Sequence, residues 1–122
     1  MTNPILFKRD QAPFEAYGDG PGTATIARLI GPDISTTIGA GLATFDSTSI
    51  AWTVLYDEVV VGIEGAFRLR TGDTVHEVGP GDVLWIPKGT ALRYEGSAAL
   101  VFYALYPVDW RTRGDSRREH SA

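Results

Sequence analysis

The stretch Gly79-Pro80-Gly81-Asp82-Val83-Leu84-Trp85-Ile86-Pro87-Lys88-Gly89 contains a turn, a short strand and a second turn. Glycine and proline ahead of Asp82 reverse the chain. Val83–Ile86 is an apolar run of strand length. Pro87 ends it, because proline cannot donate to a β-ladder.

The same punctuation repeats on either side. Thr23–Ile30 is rich in β-branched residues and stops at Gly31-Pro32-Asp33, and Ile38–Phe45 stops at Asp46-Ser47. Ile50–Ile63 stops at Glu64-Gly65, Ala66–Arg70 at Thr71-Gly72-Asp73, and Val75–Val78 at Gly79-Pro80. Ala91–Glu95 stops at Gly96-Ser97 and Leu100–Tyr106 at Pro107. No segment of helical length keeps a 3.6-residue apolar period. Glu64-Gly65 and Thr71-Gly72-Asp73 are too close for an intervening helix, so hairpins are expected there. Short strands this evenly spaced predict an all-β sandwich or barrel.

The chain has 122 residues, which suits one domain with a real core. The expected division is an N-terminal arm over 1–22, a barrel over 23–110 and a tail over 111–122. Ile5, Leu6, Phe7 and Phe14 make the arm too apolar for a free tail. Pairing with a second copy of the chain, as a homodimer, would cover it. The tail holds Arg111, Arg113, Arg117 and Arg118, interrupted by Asp115 and Glu119, and reads as a solvated terminus.

Net charge is −4, so a phosphate backbone would be repelled and nucleic acid is not an expected partner. There is no cysteine, which removes disulfides, thiolate metal sites and cysteine nucleophiles, and fits a reducing cytoplasm. Met1-Thr2-Asn3-Pro4-Ile5 has no basic segment leading into an apolar run, and no apolar stretch reaches the length of a membrane span. The expectation is a cytoplasmic protein with no membrane partner.

Gly81, Pro87 and Gly89 fall in the register of the second cupin motif, a glycine, five residues, a proline, any residue and a glycine. Glu58 and Gly65, with six residues between them, match the end of the first cupin motif. A narrower set comprises Trp52-Thr53-Val54-Leu55-Tyr56-Asp57-Glu58, Glu64-Gly65, Trp85-Ile86-Pro87-Lys88-Gly89 and Tyr103 through Trp110. Over about residues 35–110 the chain resembles the EutQ-like ethanolamine-utilization cupins. The resemblance implies a single cupin-type β-barrel, or jelly roll. Its members are cytoplasmic bacterial proteins, often dimeric and associated with ethanolamine catabolism, and acetate kinase activity has been ascribed to some. No glycine loop opening a helix is visible to bind phosphate, which speaks against kinase chemistry.

In the general cupin pattern, histidines that hold a metal precede the motif glutamate and follow the second-motif glycine. Here those positions carry Trp52 and Val54 (or Ala51 and Thr53 with the longer spacing) and Leu92. His76 and His120 lie elsewhere. No cofactor is therefore expected. The alternative, a divalent metal at Glu58, would lack the converging ligands that a transition metal needs.

Strand alternation puts Trp52, Val54, Tyr56, Glu58 and Val60 on one face. The motif glutamate faces the barrel interior in cupins, so the resemblance places Tyr56 and Trp52 inside as well. A carboxylate and a phenol enclosed there can both transfer protons, and enclosure raises the carboxyl pKa toward neutrality. Tyr56 and Glu58 are thus the candidate catalytic pair. Trp52, Trp85, Tyr94 and Tyr103 are candidates for an aromatic wall around a small-molecule ligand. Lys88, beside the second motif, is a candidate for binding an anionic ligand, as Arg93 would be. The expected function is acid–base chemistry of isomerase, lyase or dehydratase type without a tightly bound metal. The alternatives are small-molecule binding without turnover, or an accessory role in ethanolamine or related amine catabolism.

Overall fold

Two strands of 15 and 16 residues set the architecture, well beyond the common strand length. They are β5 (Asp57–Thr71) and β8 (Ala91–Tyr106) of a computed structural model that describes residues 3–18 and 20–112. They run antiparallel, with Asp57 opposite Tyr106 at one end and Arg70 opposite Arg93 at the other.

Each long strand has different neighbours along its two halves. On one side, β1 (Glu15–Ala16), β2 (Thr23–Ile30) and β3 (Gly39–Asp46) lead to the second half of β8, then the first half of β5, then β7 (Val83–Ile86). On the other, β4 (Thr48–Thr53) pairs with the first half of β8, and β6 (Thr74–Val78) with the second half of β5. Every pairing is antiparallel. The halves pack across a shared core in which the Phe45 ring lies 5.2 Å from Phe67 and 5.7 Å from Tyr94. This is an all-β jelly roll. Its only helical element among the described residues is a 3-10 turn at Arg9–Gln11.

The two long strands turn the corner together. Register shifts at Gly62/Glu64 and Glu64/Ala66 mark bulges in β5. Gly65, at φ +67°, faces Ala98, at φ +47°. Bulges bend a strand and reset its side-chain phase. In β5 the buried side chains are Glu58 and Val60 before the corner, and Phe67 and Leu69 after it. In β8 they are Leu92 and Tyr94 before it, and Ala99, Val101 and Tyr103 after it. Glu64-Gly65 and Gly96-Ser97, expected as turns, are thus bends inside continuous strands. Ile50–Ile63, expected as one strand, instead breaks at Val54-Leu55-Tyr56, where the chain crosses between the halves. There the Val54 N–H donates to the Thr90 carbonyl and its carbonyl accepts from the Gly89 N–H.

The end of the arm belongs to the barrel. Glu15 pairs with Ile26, and the Tyr17 N–H donates to the Ala24 carbonyl. Ala12 packs on an outer cluster of Ala27, Leu42 and Leu100. Ile5 and Leu6 stay exposed, Leu6 at 79%. At the other end Val108 donates to the Thr37 carbonyl and Trp110 to that of Pro107, which folds the chain back over the barrel. Beyond Thr112 the tail, with Arg113, Arg117, Arg118 and His120, lies outside the described residues. No helix among the described residues is long and apolar enough to cross a membrane.

A Cβ on Gly65 would sit 2.0 Å from the Ala98 carbonyl oxygen, whereas one on Gly72, also left-handed, meets nothing within 4 Å. Gly72→Ala should cost only the left-handed penalty, about 1 kcal/mol. Gly65→Ala should cost roughly 3 kcal/mol or more. Urea unfolding of both variants checks this, and equal losses would refute the corner's role.

Candidate functional site

Between the halves lies a cavity of about 300 Å³, walled mainly by apolar and aromatic side chains. Glu58 is the one carboxylate that lines it among the described residues, and it is 6% exposed. Its backbone is fixed from both sides, opposite Ile86 of β7 and Leu105 of β8. The side chain therefore projects from the middle of a sheet, where it cannot swing out to water.

Its partner is a residue 36 positions away. The Tyr94 hydroxyl donates to Glu58 Oε1 at 3.0 Å. Glu58 makes no other side-chain hydrogen bond among the described residues, and no fully buried side-chain nitrogen or oxygen there lacks a partner. Oε2 therefore opens onto the cavity. Burial pushes the Glu58 pKa up to about 7, and the Tyr94 hydrogen bond restrains that rise.

Tyr56 stands behind this pair. Its hydroxyl oxygen accepts from Trp52 Nε1–H at 3.2 Å and also interacts with the Tyr94 hydroxyl. Burial, then the Glu58 charge, raise the pKa of both tyrosines well above the usual phenol range. They remain neutral hydroxyls at any physiological pH. The Trp110 ring closes the group from outside, 5.1 Å from Tyr56 and 6.0 Å from Trp52.

The fold gathers Trp52, Tyr56, Glu58, Tyr94 and Tyr103 around the cavity. It does not bring Trp85 or Lys88 there. Trp85 alternates with the buried Ile86 and so points outward, 58% exposed. Lys88 is exposed in the turn after β7, where its backbone N–H donates to Asp57 Oδ1 at 2.8 Å. The aromatic wall lacks Trp85, and Lys88 cannot supply an anion contact inside. Arg93 likewise lies outside, hydrogen-bonded to Ser49. Tyr56 and Glu58 both line the cavity although Tyr56 lies in the break before β5, and the phenol that bonds Glu58 is that of Tyr94.

Tyr17, Arg28 and Arg111 also line the cavity and escape a reading of the sequence. Tyr17 comes from the arm. Arg28 did carry a signal, since it shares an alternating face with Ala24, Ile26 and Ile30 in β2. Arg111 sits 4.4 Å over the Trp110 ring, at the edge of the described chain.

The site does not fit a cupin metal. Among the described residues the cavity lining offers one carboxylate and neither histidine nor cysteine. Val54 and Leu92, at two of the histidine positions, are buried in the core, and Trp52 fills the third. Among the described residues no group of three or more His, Cys, Asp or Glu is placed to hold an ion. His76 is exposed on β6, opposite Leu69.

Comparison with known proteins identifies the fold and the family. The chain is 26% identical over 96 residues to the protein named acetate kinase EutQ of Escherichia coli (strain K12), covering 78% of this chain and 41% of that protein. It therefore spans less than half the length of that curated relative. The crystal structure of an ethanolamine utilization protein Q from Salmonella typhimurium LT2 superposes with a TM-score of 0.77 at 24% identity, covering 84% of this chain and 85% of that one. An RmlC-like cupin from Shewanella frigidimarina NCIMB 400 superposes with a TM-score of 0.66 at 15% identity, covering 86% and 92%. These likenesses establish the cupin fold. The family model described as ethanolamine utilisation protein EutQ matches residues 17–112, from the cavity-lining Tyr17 to the turn beyond Trp110, and the chain belongs to the EutQ family.

Proposed function

We propose that this cupin binds a small molecule in the barrel and moves a proton between the ligand and Glu58, in a reaction of isomerase, lyase or dehydratase type. One observation carries the reading: a carboxyl fixed through Oε1 by Tyr94, with Oε2 open to an apolar cavity. A general base works best with a pKa near ambient pH, and burial provides that here. Tyr94 is the positioning residue for the carboxyl, and Tyr56 and Trp52 hold Tyr94 in turn. No step uses a metal. The name acetate kinase belongs to relatives longer than this chain, and the present reading rests on the cavity alone. The second reading is small-molecule binding without turnover or an accessory role in ethanolamine or related amine catabolism, the latter supported by family membership.

Proton abstraction from carbon can be followed without knowing the product. In D₂O, a panel of small ketones, aldehydes and 2-oxo and 3-oxo acids should show deuterium incorporation by NMR for at least one member. Glu58→Gln should slow it by about 100-fold or more. Tyr94→Phe should shift the pH profile upward, because it removes the hydrogen bond that restrains the carboxyl pKa. Binding without exchange would select the second reading, and full exchange in Glu58→Gln would refute the first.

The raised carboxyl pKa also makes a stability prediction. From about pH 4.5 to about 7 the folded chain holds a proton on Glu58 that the unfolded chain releases. Its contribution is complete below that window and is lost as pH rises through the folded value. Glu58→Gln should remove a decline on the order of 3 kcal/mol between pH 4.5 and 8. Denaturation across pH tests this, and identical slopes in wild type and variant would rule it out.

We also propose a homodimer, supported by the exposed Ile5 and Leu6 of the arm and the exposed Val83 and Trp85 of β7. Sedimentation equilibrium at micromolar concentration should give twice the chain mass. A monomer would exclude it.

A further inference from the structure

The charges around the cavity are unevenly placed. Glu58 lies deep, while two guanidiniums, Arg28 of β2 and Arg111 beyond Trp110, line the exposed mouth. Neither arginine forms an ion pair among the described residues. The ion pairs present join Arg9 to Glu64 and Arg70 to Glu95, both away from the cavity. A chain of net charge −4 thus sets two exposed cations, without an ion-pair partner among the described residues, on the lining of this cavity.

Strand register shows that Arg28 is directed there by the fold. Arg28 lies opposite Gly41, Gly41 opposite Tyr103, and Tyr103 opposite Val60, all on the inward face. Glu58 occupies the next inward position along β5, opposite Leu105, which in turn faces Gly39. A Cβ at Gly41 would approach the Tyr103 hydroxyl to 2.8 Å, so the glycine lets that ring lie across β3 toward Arg28. Arg111 lines the same cavity from beyond β8, with its guanidinium over the Trp110 ring. Both guanidiniums act electrostatically on Tyr17 and Tyr103, which also line the cavity.

We propose that the cavity selects small organic anions, with Arg28 and Arg111 gripping a carboxylate or phosphate group at the mouth and the uncharged remainder of the ligand extending past Tyr103 to Glu58. Arginine suits this task because its planar fork pairs with either oxyanion group. A volume of about 300 Å³ lies at the small end of ligand pockets and limits the remainder to a few carbons or one ring. Cations at a cleft mouth also raise the encounter rate of anions with an otherwise acidic surface. The inference rests on the pocket reading above and adds the ligand's charge and orientation.

The test uses matched probes that differ in charge alone: benzoate with benzamide, isovalerate with isovaleramide, and benzyl phosphate with benzyl alcohol. Binding is measured by saturation-transfer NMR and calorimetry. Anionic members should bind at least about tenfold more tightly than their neutral partners. The double variant Arg28→Gln/Arg111→Gln should lose that preference, while Arg93→Gln, outside the cavity, keeps it. The carboxylate and phosphate arms distinguish the two anion classes. Equal binding of charged and neutral members, or a preference that survives the double variant, overturns the anion grip and leaves the pocket reading standing. No binding by any probe, charged or neutral, overturns both.

Discussion

Continuous pairing of β5 with β8 through a shared corner is the constraint on which the rest depends. Two sheets joined by loops could slide or splay. Here the same two strands belong to both halves, so the position of one half fixes the other. Backbone hydrogen bonds hold this join, and Gly65 facing Ala98 provides the room it needs. Every inward side chain inherits its place from that corner.

Glu58 and Tyr94 show the consequence. Glu58 sits before the bend of β5, among strands of one half, and Tyr94 before the bend of β8, among strands of the other. Their hydrogen bond crosses the interior and exists only because the corner brings the halves face to face. A carboxyl held this way cannot relax toward water when ionised. The resulting penalty moves its acidity toward neutral pH, as a cost distributed over the fold.

Much of the fold was legible in the sequence. Thr23–Ile30 and Val83–Ile86 match their observed strands end to end, and Gly79 through Gly89 identifies the cupin turn. The bends were not legible, because glycine marks a bulge and a reverse turn alike. Glu64-Gly65 and Gly96-Ser97 look like loop tips until their strands are seen to continue. The interior face of Glu58 was implied by the resemblance to the first cupin motif, and alternation extended it to Tyr56 and Trp52. The Tyr94 bond did not, since it spans two strands whose phases reset at the corner. Trp85 was misplaced for a related reason: its aromatic character suggested the pocket, while the phase of Ile86 beside it assigned the outside. Arg28 could have been noticed as a charge on an apolar alternating face. Tyr17 and Arg111 depend on how the chain ends wrap, which periodicity does not encode.

The hydroxyl chain behind Glu58 has a direction. An indole N–H donates and cannot accept, so Trp52 polarises the Tyr56 hydroxyl one way, Tyr56 faces Tyr94, and Tyr94 donates to Oε1. A relay that conducts protons must be able to reverse every donor and acceptor along it, and this one is blocked at its outer end. The tyrosines therefore brace the carboxyl without handing a proton on to the indole. Oε2 is the carboxyl oxygen left open to the cavity, so a ligand bound there would cover it.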